Sequence, residues 1–318
     1  MSPPDSSVAT DDAARADVCA VLVTYHPDSG FPQRLRDILQ QVATVVVVDN
    51  GSASAQLELL RDLAAEHRAA LVLNGANLGL ARALNVGIEH AAALGFSWAV
   101  LLDQDSRIDG DMVKSLVAVR ESFTDKTRLG IIGAGFREKH RISAKIARLE
   151  NRGNEWQEVE TVITSGSMLS LSAYRHIGPF REDFFIDHVD TEYCARARAR
   201  GYRVVRTLRP LMTHSIGRPT QHRLLWMKKW TSNHSADRRY YITRNHTVML
   251  REGGGLIPGS WALLGLLRGL NACKRIALYE EAKREKIAAV FSGWRDGIKG
   301  KMGPRSRKRV RASKSALR

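Results

Sequence analysis

The sequence has only three cysteines in 318 residues, at positions 19, 194 and 273. They are too few and too widely spaced for a disulfide framework or a zinc-ligand pattern, so a reducing setting is expected, with thiols that act as small core residues. Long hydrophobic runs are also missing. The longest, LIPGSWALLGLLRGL at 256–270, carries Arg268 and falls short of the roughly 20 residues that span a bilayer. It is expected to pack in a core or lie in an interface. The opening MSPPDSSVATDDAARAD has neither the basic nor the apolar region of a secretory leader, so export is not expected. There is no GxxxxGK[ST] loop, no GxGxxG behind a strand, no GxSxG elbow and no HExxH. Kinase, dehydrogenase and hydrolase readings lose their usual support.

Acidic residues are scarce in one part of the chain only. Residues 200–318 hold 28 Lys/Arg against 6 Asp/Glu, a net of +22, whereas residues 1–199 hold 21 against 27, a net of −6. The formal +16 predicts an anionic partner: nucleic acid, nucleotide phosphates or an acidic membrane surface. Its division suits an enzyme whose acidic front half does chemistry while the basic rear half sits on a membrane. A composition of 44% hydrophobic and 26% charged residues with 25 glycines is that of a globular protein, in one large domain or two unequal ones.

Short β-branched runs at 18–23, 44–48, 70–73, 98–102 and 130–134 alternate with helical patterns at 54–67 and 77–94. That alternation predicts an α/β fold with a mostly parallel sheet covered by helices. A further strand is expected within TVITSGSMLSL at 161–171, a helix at 191–200 closed by Gly201, and a strand at 202–205. Helices rich in Lys, Arg, Trp and Leu are expected from residue 224 onward, including one at 279–287. Four limits follow: a disordered segment 1–17, a catalytic domain 18–217, a helical basic region 218–298 and a disordered basic tail 299–318.

Open sheets of this kind bind ligands beyond the carboxyl ends of their strands. Four successive strand ends carry polar groups: Thr24-Tyr25-His26, Asp49-Asn50-Gly51-Ser52, Asn74-Gly75-Ala76-Asn77 and Asp103-Gln104-Asp105-Ser106. Any one of them is explained by ordinary turn chemistry; four together point to a site. Asp103 and Asp105 alternate along an extended segment, so both carboxylates reach one side, an arrangement that suits Mg²⁺ or Mn²⁺ carrying a substrate diphosphate. Asp49 either caps its own turn or accepts a base N–H. Arg82 and Asn85 share a face of a helix whose first turn favours anions; the plain alternative is a surface Arg and a buried Asn. The cluster Asp187-His188-Val189-Asp190-Thr191-Glu192 offers either a helix cap or a general base in aromatic surroundings. His214 is a further candidate metal ligand.

In order and spacing, VLVTYHP, VVVVDNGS, NGANLGLARALNVGI, WAVLLDQDS, SGSMLS, FFIDHVDTEYCARARARGY and MTHSIG resemble the family 2 nucleotide-sugar glycosyltransferases, and bacterial rhamnosyltransferases above all. RRYYITRNH at 238–246 extends the likeness. The resemblance implies a glycosyltransferase A fold and an inverting transfer of a sugar, L-rhamnose from dTDP-L-rhamnose, onto a glycan or lipid-linked oligosaccharide acceptor. It implies Thr24, Asp49, Arg82 and Asp103 at the nucleotide, and Asp105 with His214 at the divalent cation. Aligned through Cys194-Ala195-Arg196, the family's Glu-Asp pair falls on Val189 and Asp190, which assigns the base to Asp190 and keeps Asp187 and Glu192 as alternatives. The rear half is read as a surface for anionic lipid, placing the enzyme on the cytoplasmic face of a membrane. UDP-galactofuranose is the alternative donor. Nucleic-acid binding through 218–318 ranks below both and is not expected.

Overall fold

A computed structural model describes residues 16–138, 155–214, 220–224, 227–253 and 260–305. The apolar runs form the centre of one mixed sheet: β1 (Val18–Thr24), β2 (Thr44–Asp49), β3 (Ala70–Leu73), β4 (Trp98–Asp103), β5 (Arg107–Ile108), β6 (Leu129–Glu138), β7 (Trp156–Glu158), β8 (Ser167–Ser170) and β9 (Arg203–His214). Its order is β3-β2-β1-β4-β8-β6-β9-β5, with β7 also paired to β9. Strands β3, β2, β1 and β4 are mutually parallel, and because β8 is antiparallel to both β4 and β6, β6 and its parallel neighbour β9 run the same way. Ser167–Ser170 is the only part of 161–171 in a strand; the residues before it form a loop at the end of the sheet.

The unbroken valines of β1 and β2 are explained by cover on both sheet faces. One face packs Val21, Val23, Val46 and Val48 against Leu84 and Ile88 of α3 (Leu80–Ala93) and Tyr193 and Ala197 of α6 (Val189–Ala199). The other packs Ala20, Leu22, Val45 and Val47 against α1 (Phe31–Leu39), α2 (Ser54–His67) and α4 (Met112–Glu121). Each buried aliphatic side chain contributes about 1.5–3 kcal/mol, so the strand ends are held on a rigid frame. A short α5 (Leu171–Ile177) follows β8. Cys19 and Cys194 are buried and free, and burial pushes both thiols up to about 12, which suits inert packing.

The rear half differs from its expected form at three places. Residues expected to open a run of helices instead form an antiparallel hairpin, β10 (Thr220–Leu224) with β11 (Met227–Thr231); local helix preference is overridden once a strand partner completes the ladder. Three helices follow, α7 (Ala236–Glu252), α8 (Ser260–Tyr279) and α9 (Lys283–Ile298). The helix expected at 279–287 is split, since α8 ends at Tyr279 and the chain passes through Ala282 in the left-handed region before α9. Of the tail expected to be disordered from 299, residues 299–305 are pinned. The Gly303 N–H donates to Asp183 O at 2.9 Å, the Arg305 N–H to the Tyr241 hydroxyl at 2.7 Å, and Arg305 pairs with Asp237 at 3.0 Å. Residues 306–318, the N-terminal 1–15, Trp226 and positions 256–259 of the apolar run lie outside the described residues.

Candidate active site

A cleft of about 540 Å³ opens at the carboxyl ends of the central strands. Its floor comes from Thr24 and Tyr25 after β1, Asn50 after β2, Asp103, Gln104 and Asp105 after β4, and His214 at the end of β9; its far wall is the segment 185–191 with Arg238 and Ile242 of α7. The strand ends are cross-tied. Gln104 accepts the Tyr25 N–H at 2.7 Å and donates to Tyr25 O at 3.0 Å. Asn50, buried, accepts from Asn74 and from the Leu78 N–H, both at 3.1 Å, and donates to Asn77, knotting the third strand end to the second.

Asp103, Asp105 and His214 present ligand atoms that all lie within 4.8 Å of one another. Two carboxylates and an imidazole, with open space in front of them, fit a hard divalent cation such as Mg²⁺ or Mn²⁺. The grouping puts Asp103 beside Asp105, as their spacing suggested, and beside His214, whereas the resemblance had placed Asp103 at the nucleotide. Burial pushes the Asp103 carboxyl up to about 6, with Asp105 and Asp190 adding to the rise and His214 opposing it. His214 is oriented from behind: its Nδ1 lies 3.2 Å from the Ser106 hydroxyl, which contacts Ser165 Oγ at 2.7 Å, and Ser165 accepts the Asp103 N–H at 3.1 Å. Such outer hydrogen bonds set ring orientation at metal sites.

The three carboxylates weighed for the base are in different states. Glu192 is spent on Arg196, at 2.9 and 2.8 Å, and that guanidinium also holds the carbonyls of Ile177, Gly178 and Pro179. Asp187 forms a two-point ion pair with Arg238. Asp190, in the first turn of α6, has no ion pair among the described residues; Thr191 donates to one oxygen through its N–H at 2.7 Å and its hydroxyl at 3.2 Å. Burial raises its affinity for protons above the ordinary carboxylate range, against the lowering effect of Thr191.

Thr24 lines the cleft with its hydroxyl 3.2 Å from Asp49. Asp49 lies beneath, buried, with its oxygens engaged by the Gly51 and Ser52 N–H groups, the Ser52 hydroxyl and Thr24; here it closes its own turn. Arg82 is not among the lining residues and pairs with Glu182 at 2.9 Å, with 46% of its side chain exposed. Asn85 is buried and holds Phe180 O, Phe180 N–H, Tyr174 and Glu182 together.

The far wall departs most from ordinary backbone. Phe185, Asp187 and His188 have φ of 67°, 65° and 61°, a conformation that costs non-glycine residues about 1–3 kcal/mol each. It is held from both sides. The Leu80 N–H, opening α3, donates to Phe185 O at 2.7 Å, and Gly79, with φ +90°, lies so close that a Cβ there would be 2.7 Å from both the Phe185 ring and its carbonyl oxygen. From the other side come Arg238, Arg244 and Asn245 of α7. Sequence reasoning assigned none of these three, nor Ser106, Ser165 and Gln104, a role. RRYYITRNH was the available signal, but the wall groups that its Arg238, Arg244 and Asn245 hold lie some 50 to 60 residues earlier in the chain.

Comparisons with known proteins agree with this geometry. The model of "Glycosyl transferase family 2" matches residues 19–178. The dTDP-rhamnosyl transferase RfbF of Shigella flexneri is 28% identical over 301 residues, covering 91% of this chain and 97% of that protein. The low-salt glycan biosynthesis hexosyltransferase Agl10 of Haloferax volcanii is 24% identical over 198 residues, 57% of this chain and 62% of its own length. Among solved structures, the mannosyltransferase PcManGT of Pyrobaculum calidifontis, in complex with GDP-Man and Mn²⁺, superposes with a TM-score of 0.57 at 16% identity, covering 90% of this chain and 88% of that one. S. aureus TarS 1–349 in complex with UDP-GlcNAc gives 0.51 at 12% identity, with 89% and 92% covered. The fold is the glycosyltransferase A fold. With the family model covering half of the chain and the strand-end cleft in place, the protein belongs to glycosyl transferase family 2.

Proposed function

We propose that this glycosyltransferase moves L-rhamnose from dTDP-L-rhamnose to a hydroxyl of a glycan acceptor, with inversion at the anomeric carbon. The observation that carries the donor is the near full-length likeness to the dTDP-rhamnosyl transferase RfbF. In this reading Asp103, Asp105 and His214 hold a divalent cation, Mg²⁺ or Mn²⁺, which when bound offsets the charge growing on the departing diphosphate. Thr24 and the strand-end loops of Asn50 and Asn77 frame the nucleoside, and Asp49 acts on it through the turn it closes, whereas Arg82, expected at the nucleotide, pairs with Glu182 outside the cleft lining. Asp190 takes the proton of the acceptor hydroxyl as that oxygen attacks. Burial suits it to this task because it raises the carboxylate's basicity, while Asp187 and Glu192 are neutralised by Arg238 and Arg196.

The acceptor is taken to be lipid-linked, in cell-surface polysaccharide synthesis, with the enzyme peripheral on the cytoplasmic face of a membrane. No helix among the described residues is long and apolar enough to cross one. Leu267, Leu270 and Leu278 of α8 and Phe291 of α9 are exposed, and Arg268, Lys274, Arg275, Lys283 and Arg284 are exposed in the same stretch of chain and outnumber its exposed acids Glu281 and Glu285, a composition that suits anionic lipid surfaces. A donor panel of dTDP-rhamnose, UDP-galactofuranose and other nucleotide sugars, each with Mg²⁺ or Mn²⁺, tests the reading. Product formation is expected with dTDP-rhamnose; transfer from UDP-galactofuranose alone would replace it.

A further inference from the structure

We infer that Arg244 and Asn245 of α7 are positioning residues for the general base, acting as a clamp that keeps the 184–188 backbone in its strained form and so aims Asp190 into the cleft. The Asn245 amide nitrogen lies 3.0, 2.9 and 2.8 Å from the carbonyl oxygens of Phe184, Ile186 and Asp187. An NH₂ group has two hydrogens, so one of the three contacts is shared. Its amide oxygen accepts from Arg244 Nε at 2.9 Å, which settles the amide's orientation, since the flipped form would set oxygen against three carbonyls. Arg244 donates onward to Asp183 O and Phe184 O at 3.0 Å and to Gly303 O. Both side chains are 0% exposed.

The remaining carbonyl of the turn, that of Phe185, is held by the Leu80 N–H. Every carbonyl from 183 to 187 thus has a donor from outside the segment, and a left-handed run of non-glycine residues persists only where its surroundings over-determine it. The segment enters α6 through His188, and Asp190 is the second residue of that helix. Release of the clamp would let Phe185, Asp187 and His188 return to negative φ and rotate the first turn of α6. The groups proposed to hold the cation, Asp103, Asp105 and His214, sit on β4, the residues after it and β9, on the side of the cleft opposite the clamped wall, so loss should fall on chemistry more than on donor binding.

This inference rests on Asp190 being the base, and the experiment separates the two ideas. Asn245→Asp keeps the shape and places an acceptor against three carbonyls. Asn245→Gln keeps the donor and moves it by one methylene. In both, kcat is expected to fall at least tenfold with the donor KM within twofold of wild type. Hydrogen exchange in peptides spanning 182–190 should accelerate at least tenfold while β1 and β4 stay as protected as before. Unchanged exchange in that segment together with kcat within twofold would overturn the clamp. So would exchange that rises equally across the whole chain with activity lost only in proportion to unfolded protein. Should neither variant fold, wild-type exchange decides: protection at 182–190 equal to that of the sheet supports the clamp, and exchange at the rate of open loops refutes it. If Asp190→Asn retains turnover while the Asn245 variants still loosen 182–190, the assignment of the base fails and the clamp stands.

Discussion

On the proposed assignment of the base, replacing Asp190 by Asn should separate catalysis from stability. Asn keeps an oxygen for the Thr191 N–H, the contact that anchors the side chain at 2.7 Å, and removes a carboxylate that burial makes reluctant to ionise. Loss of the base should cost about 10²–10⁴ in kcat, equivalent to about 2.7–5.4 kcal/mol of transition-state stabilisation at 1.36 kcal/mol per tenfold. The melting temperature should not fall, since a buried charge without an ion pair is deleted. Glu192→Gln should do the reverse. It breaks a pair whose side chains are 14% and 16% exposed and whose arginine ties three carbonyls, at a cost of roughly 2 kcal/mol or more, with kcat for the folded enzyme little changed. Asp187→Asn leaves Arg238 unpaired, but water screens a guanidinium that is 37% exposed, so about 1 kcal/mol is expected. Nucleotide release with dTDP-rhamnose and acceptor, donor binding by calorimetry and thermal melts supply the three readouts. Asp190→Asn turning over within tenfold of wild type, or Glu192→Gln losing turnover without loss of stability, would refute the assignment.

The proposed cation site should show a defined pH dependence. A carboxyl that binds its proton more tightly folded than unfolded stabilises the fold below the unfolded value of 3.8, and for Asp103 that contribution is lost as pH rises to about 6. Thermal shift by Mn²⁺ should therefore grow between pH 5 and 7, where proton and cation compete, and should vanish in Asp105→Ala; a shift independent of pH would count against the site. Gly79→Ala puts a Cβ 2.7 Å from the Phe185 ring and carbonyl in a backbone with φ +90°, so a loss of about 1–3 kcal/mol is expected in denaturant melts, and a neutral outcome would mean that the wall is soft. Serine at Leu267, Leu270 and Leu278 together should abolish flotation with anionic liposomes while turnover on a soluble acceptor persists; equal flotation would move the membrane contact elsewhere.

The front half of the fold is legible in the sequence because its signals are local. Four valines before Asp49 favour a strand, found at Thr44–Asp49, and Leu57, Leu60, Leu63 and Ala64 mark one face of the helix found at Ser54–His67. Asp103 and Asp105 were readable because they follow an apolar run, Asp190 and His214 were singled out through the family resemblance, and the fold carries all four to the cleft. The hairpin at 220–231 was not readable, because Lys, Arg, Leu and Trp suit either state until a partner strand is present. Nor was the place of Arg82, whose charge is met by Glu182, 100 residues away.

By itself the sequence determined the first strands of the sheet and the helices at Ser54–His67 and Leu80–Ala93, the polar strand ends and the division of charge, all of which depend on side-chain period and on neighbours a few residues apart. Only the tertiary structure decided which carboxylates are neutralised and which one stays unpaired. It also decided that helix α7 of the basic half completes the cleft, where Arg238 meets Asp187 and Asn245 meets three carbonyls. The physical reason is that ion pairing and backbone satisfaction are properties of distance in space, and the groups that meet here are some 50 to 60 residues apart in the chain.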